Sequence, residues 1–118
     1  MFQEFIKNII SKGELSLIVI GGKYTHAVKK TAKKGDFRVQ DDHGGKVEMY
    51  YASDKEIEFA EQCINLCSEM PQYARVDITY DNNNELSLVE LELIEPELWF
   101  RNNKNSAKLL AEEILKKF

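Results

Sequence analysis

The chain predicts an α+β fold, an antiparallel sheet of two hairpins with two helices packed on one face, and three patterns carry that expectation. An apolar run over residues 14–21 breaks at Gly21-Gly22 and returns over 23–30. A second pair of alternating segments, 73–81 and 85–94, closes around Asn82, Asn83 and Asn84. Two further stretches carry apolar residues at helical spacing. Strand side chains alternate between faces, whereas helical ones recur every three or four positions, so the two patterns separate strands from helices.

Taken in order, Gly21-Gly22 supplies the turn of the first hairpin. Residues 31–46 then become polar and hold three glycines, Gly35, Gly44 and Gly45, which is loop composition. A loop of that length in a small domain is usually functional or disordered. Ser53-Asp54-Lys55-Glu56 reads as a capping box, and the helix it opens carries Ile57, Ala60, Ile64 and Cys67 before Pro71 stops it. The second hairpin ends at Pro96. A last helix, capped by Asn105 or Ser106, aligns Ala107, Leu110, Ala111, Ile114 and Phe118 on one stripe. Helices on one sheet face leave the other for charge.

The 118 residues make one domain able to bury a core without staples. A net charge of −4 argues against a general nucleic-acid binder, which needs a basic excess. The longest apolar run, 15–20, is too short to span a bilayer and no signal segment precedes it, so cytoplasmic residence is the default expectation, with no membrane partner. Cys63 and Cys67 lie on adjacent turns of one helix and read as core packing. His26 and His43 are too few and too far apart for a zinc site.

The second hairpin carries the chemistry. A four-residue loop, 82–85, sets Asp77 opposite Glu90 and Arg75 opposite Glu92 on one face. Directly opposed residues sit about 4.5–5.5 Å apart at Cβ. Three carboxylates then converge, with Val76, Ile78 and Tyr80 behind one arm and Ser87, Val89, Leu91 and Leu93 behind the other. Burying such charges unpaired costs several kcal/mol each, so water or a divalent cation must compensate. Hard carboxylate oxygens suit Mg²⁺. A solvated charged face is the simpler alternative, and periodicity does not separate the two.

Through these residues the chain resembles the ATP-grasp superfamily, in particular carboxylate-amine ligases similar to bacterial glutathione synthetase and D-alanine-D-alanine ligase. Arg75-x-Asp77, then Glu90-x-Glu92 and Pro96, look like the family's metal-binding motifs, with Glu92 where those enzymes commonly carry Asn. The loop Gly35-Asp36-Phe37-Arg38-Val39-Gln40, ending in Gly44-Gly45, resembles the mobile loop that closes over the reacting phosphate. The segment Met1 to Ile6, with Gln3, Glu4 and Phe5, resembles the hinge that meets adenine.

The resemblance implies that residues 1–118 form the C-terminal ATP-grasp lobe, with the hinge at 1–6 and a partner N-terminal lobe outside this chain. It implies Mg²⁺ (or Mn²⁺) held by Asp77, Glu90 and Glu92, and ATP as substrate beside a small carboxylate and an amine. Arg75 would stabilise the tetrahedral intermediate, and Arg38 would bind the phosphoryl group or a substrate carboxylate. Gln3, Glu4, Phe5, Gly44 and Gly45 would contact nucleotide. An isolated lobe would lack turnover. Three alternatives stay open: Arg75 simply paired with Glu92, Arg38 in a solvated loop, and a non-catalytic binding or assembly module that retains the fold. Trp99 and Phe100 read as core or interface closure, and an apolar patch left by the partner lobe would allow homo-oligomers.

Overall fold

The computed structural model describes residues 1–39 and 44–118. The elements run α1 (Asn8–Lys12), β1 (Glu14–Ile20), β2 (Lys23–Thr31), β3 (Lys46–Tyr50), α2 (Asp54–Asn65), β4 (Tyr73–Tyr80), β5 (Leu86–Glu92) and α3 (Lys104–Leu115). The strands form one sheet in the order β3-β2-β1-β4-β5, with every neighbouring pair antiparallel. Residues Gln40 and His43, which entered the sequence reading, lie outside the described residues. Among the described residues no helix is long and apolar enough to cross a membrane.

The α+β class and both hairpins stand as expected. Strand β1 takes the centre because all seven of its residues are buried, so both of its faces need cover. Leu15, Leu17 and Val19 face α2, where Ala60 and Ile64 pack against them with Val76 and Ile78. The opposite face splits in two. Its one end is apolar, Ile18, Ile20 and Val28 against Leu98 and Trp99, and Leu110 of α3 closes it. Its other end is charged. The two main helices therefore cover opposite faces rather than one, because this second apolar cluster also has to be shielded from water.

Strand β3 extends the first hairpin from the end of the polar stretch 31–46 onward, over residues for which the sequence patterns predict no element. It is a half-exposed edge strand with Lys46 and Glu48 among its five residues, so its apolar signal is weak. The cap of α3 is Asn103, whose Oδ1 accepts from Ser106 N, and not Asn105 or Ser106. Ala111, Ile114 and Phe118 of the expected stripe are exposed.

Helix α2 is fixed by its capping box as the sequence predicts. Ser53 Oγ accepts from Glu56 N, and Glu56 Oε2 accepts from Ser53 N at 2.8 Å. The buried Glu56 carboxylate also accepts from Tyr80 Oη (2.7 Å) and Tyr50 Oη (3.1 Å), so one side chain ties α2 to β3 and β4. Burial, then the hydrogen bond to Glu56, pushes the Tyr80 hydroxyl up to about 12.

Glu56→Ala should lower stability by about 3–5 kcal/mol in urea unfolding, since it removes the shared acceptor of three partly buried hydrogen bonds and leaves a cavity. Tyr80 holds its proton more tightly folded than unfolded, where a tyrosine titrates near 10. Its contribution is therefore complete below about pH 10 and is lost as pH rises towards 12. Unfolding midpoints across that window should fall more steeply for the parent than for Tyr80→Phe.

Candidate functional site

The β4–β5 hairpin sets Arg75 opposite Glu92 and Asp77 opposite Glu90, as the sequence predicts. The route to that register differs. The turn is one residue shorter than expected, with Asp81 N donating to Glu85 O and Asn84 at φ +63°. A bulge at Val89, between the Asp77 and Ile78 pairs, restores the offset. The shift leaves Val89 half exposed and pairs Ser87 with Thr79, so of the expected inner residues of this arm Leu91 is the one that packs on the core.

Asp77 is buried, and all of its acceptor capacity near the core is engaged. Its Oδ1 accepts from Ser16 Oγ (2.6 Å) and Arg75 Nε (3.1 Å). Its Oδ2 accepts from Arg75 Nη2 (2.9 Å) and Lys30 Nζ (3.4 Å). Arg75 continues outward to Glu92 and, at 3.5 Å, to Glu90. Lys30 continues inward to Glu14, its register partner across β1 and β2. A line of alternating charge thus crosses the sheet, from a sealed end at Glu14 to an open end at Glu90, whose side chain is 57% exposed. Four carboxylates and two cations leave it a formal charge of −2.

The environment acts on each group in turn. Burial pushes the Glu14 carboxyl up, with Lys30 opposing it. Burial works against the Arg75 charge, but Asp77, Glu92 and Glu90 outweigh it and hold the guanidinium protonated more firmly than usual. Gly13 makes the sealed end possible: at φ +75°, a Cβ there would lie 2.4 Å from the Lys30 carbonyl oxygen. Trp99 covers the line, its ring 5.7 Å from the Arg75 guanidinium and 5.9 Å from Lys30 Nζ.

A cleft of about 460 Å³ lies at the N-terminal segment, lined by Gln3, Glu4, Phe5, Ile9, Phe37 and Val89 among others. Phe5 and Phe37 meet edge to face at 6.0 Å, which brings the expected hinge and the expected closing loop together. Arg38 is half exposed and pairs with Asp36 (2.7 Å); among the described residues it makes no ion pair with the acids of β4 and β5. Gly44, at φ +77°, and Gly45 do not line this cleft. Glu14, Ser16, Lys30 and Trp99 belong to the site although the sequence reading gave them no role there.

Over residues 1–114 the chain matches the model of the RimK-like ATP-grasp domain. The chain belongs to that family. Among solved structures it is similar to D-cycloserine synthetase DcsG, with a TM-score of 0.81 and 21% identity, over 98% of this chain and 41% of that one. It is also similar to the ATP-grasp ligase PsnB, solved with a phosphomimetic variant of its minimal precursor, Mg and ADP, with a TM-score of 0.63 and 16% identity, over 89% and 33%. This ATP-grasp domain therefore spans about two fifths of the first protein and one third of the second. None of the curated proteins matches it.

The donor set of this ATP-grasp domain fits a hard divalent cation in chemistry, since it is all carboxylate oxygen with residual negative charge. In arrangement it is occupied by Arg75, and among the described residues no three carboxylate, thiol or imidazole groups are placed to enclose an ion.

Truncating Asp77 should be far costlier than truncating its neighbour. Asp77→Ala leaves Arg75 and Lys30 without their shared buried partner and should cost about 3–5 kcal/mol. Glu90→Gln touches an exposed ion pair and should cost about 0–1 kcal/mol. Paired urea titrations check the contrast.

Proposed function

We propose that this domain is the Mg-ATP-binding C-terminal lobe of an ATP-dependent carboxylate-amine ligase. The observation that carries the reading is the alignment of Arg75 with Glu92 and Asp77 with Glu90 on the open face of an ATP-grasp domain. In this reading a substrate carboxylate takes the γ-phosphoryl group of ATP, and an amine displaces phosphate from the resulting acyl-phosphate. Chemistry of this kind depends on positioning and on neutralising charge.

The chain's own residues divide the work. The cleft at Gln3, Glu4 and Phe5 receives the adenine, with the Phe5 and Phe37 rings as its apolar wall. The exposed Glu90 and the partly buried Glu92, with Asp77 behind them, would hold Mg²⁺ once Arg75 is drawn off these carboxylates. The cation supplies charge neutralisation to the phosphates when bound. Arg75 exchanges part of its contact with Glu92 for the developing oxyanion, for which a planar guanidinium fork is suited. Arg38, on the loop that Phe37 anchors, reaches the phosphoryl group or the substrate carboxylate once it leaves Asp36. Turnover requires a second lobe to complete the nucleotide cleft.

One observation favours a second reading, a binding or assembly module that keeps the fold without the chemistry. Asp77 is saturated by Arg75, Ser16 and Lys30, as a purely structural carboxylate would be. Titration with ATP in the presence of Mn²⁺ separates the two. The ligase lobe should show paramagnetic broadening centred on Glu90 and Glu92, and Glu90→Gln with Glu92→Gln should weaken metal-dependent nucleotide binding at least tenfold. Equal binding by parent and double variant, or no broadening, favours the module.

A further inference from the structure

Trp99 stands in a backbone conformation that a bulky residue rarely adopts. Its φ of +45° is left-handed, and such a residue persists only where its surroundings over-determine it, often at functional sites. The surroundings here do so. Trp99 N donates to Glu97 Oε1 (2.6 Å), Asn102 N donates to Trp99 O (2.8 Å), and the preceding carbonyl, Leu98 O, is bound by His26 Nε2 (2.9 Å). Together these contacts press a 5% exposed indole against Arg75 and Lys30.

That placement leaves a polar group unanswered. Trp99 Nε1 is, among the described residues, the one buried side-chain nitrogen or oxygen without a hydrogen-bond partner. An indole N–H only donates, so nothing but an acceptor can complete it. A phenyl ring would also lie over the two cations, with a weaker cation–π attraction but without this unmet donor. The cations beside it also have donors to spare. Arg75 bonds through Nε and Nη2, which leaves Nη1 without a protein acceptor among the described residues. Lys30 engages Glu14 and Asp77, two acceptors for its three N–H groups. Both cations lie over the indole ring, 5.7 and 5.9 Å from its centroid, and its N–H is buried at the edge of the same ring.

We propose that Trp99 is a ligand-contacting residue of this site, its indole N–H donating, beside Arg75 and Lys30, to an oxyanion of the substrate, a carboxylate or phosphoryl oxygen. The inference rests on the ligase reading for the source of the oxyanion. A small anion with several acceptor lone pairs is the chemistry that three donor-only groups recognise together.

The chain has one tryptophan, so its indole N–H gives a single resonance in a ¹⁵N–¹H spectrum. The full ¹⁵N-labelled chain is titrated separately with inorganic phosphate, with acetate and with Mg-ATP. The indole resonance should move saturably with phosphate or with acetate, and the arm that moves it identifies the source. Trp99→Phe keeps an aromatic ring over both cations, removes the N–H, and should weaken that anion at least tenfold, read from the Arg75 and Lys30 amides. A stationary indole resonance in all three titrations overturns the proposal, as does unchanged affinity in Trp99→Phe. Should that variant not fold, the parent's indole resonance still decides. The nucleotide reading has its own signal, the amides of Gln3, Glu4 and Phe5 with Mg-ATP. Those amides can stay fixed while the indole answers to phosphate, and they can move while it does not.

Discussion

A single buried carboxylate governs how this sheet is put together. Asp77 has almost no access to water, and an ionised carboxylate so placed costs several kcal/mol unless it is paired and hydrogen-bonded. Its partners come from three strands: Ser16 from β1, Lys30 from β2 and Arg75 from its own strand, β4. The strand registers are thereby constrained together, because sliding β1 or β2 by one residue would turn its partner to the wrong face. Gly13 and Trp99 serve the same requirement, the first by letting β1 begin close to the end of β2, the second by keeping solvent off the cations.

The opposite face solves a similar problem with neutral groups. Glu56 is as buried as Asp77, but its partners are two tyrosine hydroxyls and a backbone N–H. One carboxylate is thus committed to joining a helix to two strands. The other sits in a chain of charges that runs to the surface. Neutral donors lock a group in place, whereas alternating ions can be re-partnered by an incoming charge. That difference separates the Asp77 face, whose charges run to the surface, from the Glu56 face, whose carboxylate is closed off by hydroxyls.

What the residues disclose in advance follows from how locally each feature is encoded. The capping box of α2 lies within four consecutive residues and was legible in full. The pairing of Arg75 with Glu92 and Asp77 with Glu90 was also legible, although by two errors that cancel: a turn read one residue too long and a bulge not foreseen. Lys30 was hidden for a related reason. A plain two-residue turn at Gly21-Gly22 pairs Glu14 with Lys29, but the register shifts between Ile18 and Val19, around Thr25, and brings Lys30 opposite instead. Trp99 reads as core or interface closure because a tryptophan after a strand gives no hint of its backbone angle. Strand β3 escaped although Lys46-Val47-Glu48-Met49 alternates, because so short a run directly after a polar loop does not stand out. Gln3, Glu4 and Phe5, the residues expected to form the hinge, line one cleft, while Gly44 and Gly45 do not and Arg38 pairs with Asp36.

The bulge at Val89 divides the β4–β5 hairpin mechanically. Between the asparagine-rich tip and the charged base lies a residue with no partner opposite it, and so the two ends need not stay in phase through every rung between them. A lengthened or shortened tip could be absorbed by enlarging or erasing that slack, without sliding the acids past the arginine. The bulge thus acts as an expansion joint: the tip keeps its own ties to the N-terminal segment, where Asn82 accepts from Lys7 N and donates to Phe5 O, while the electrostatic centre keeps its geometry.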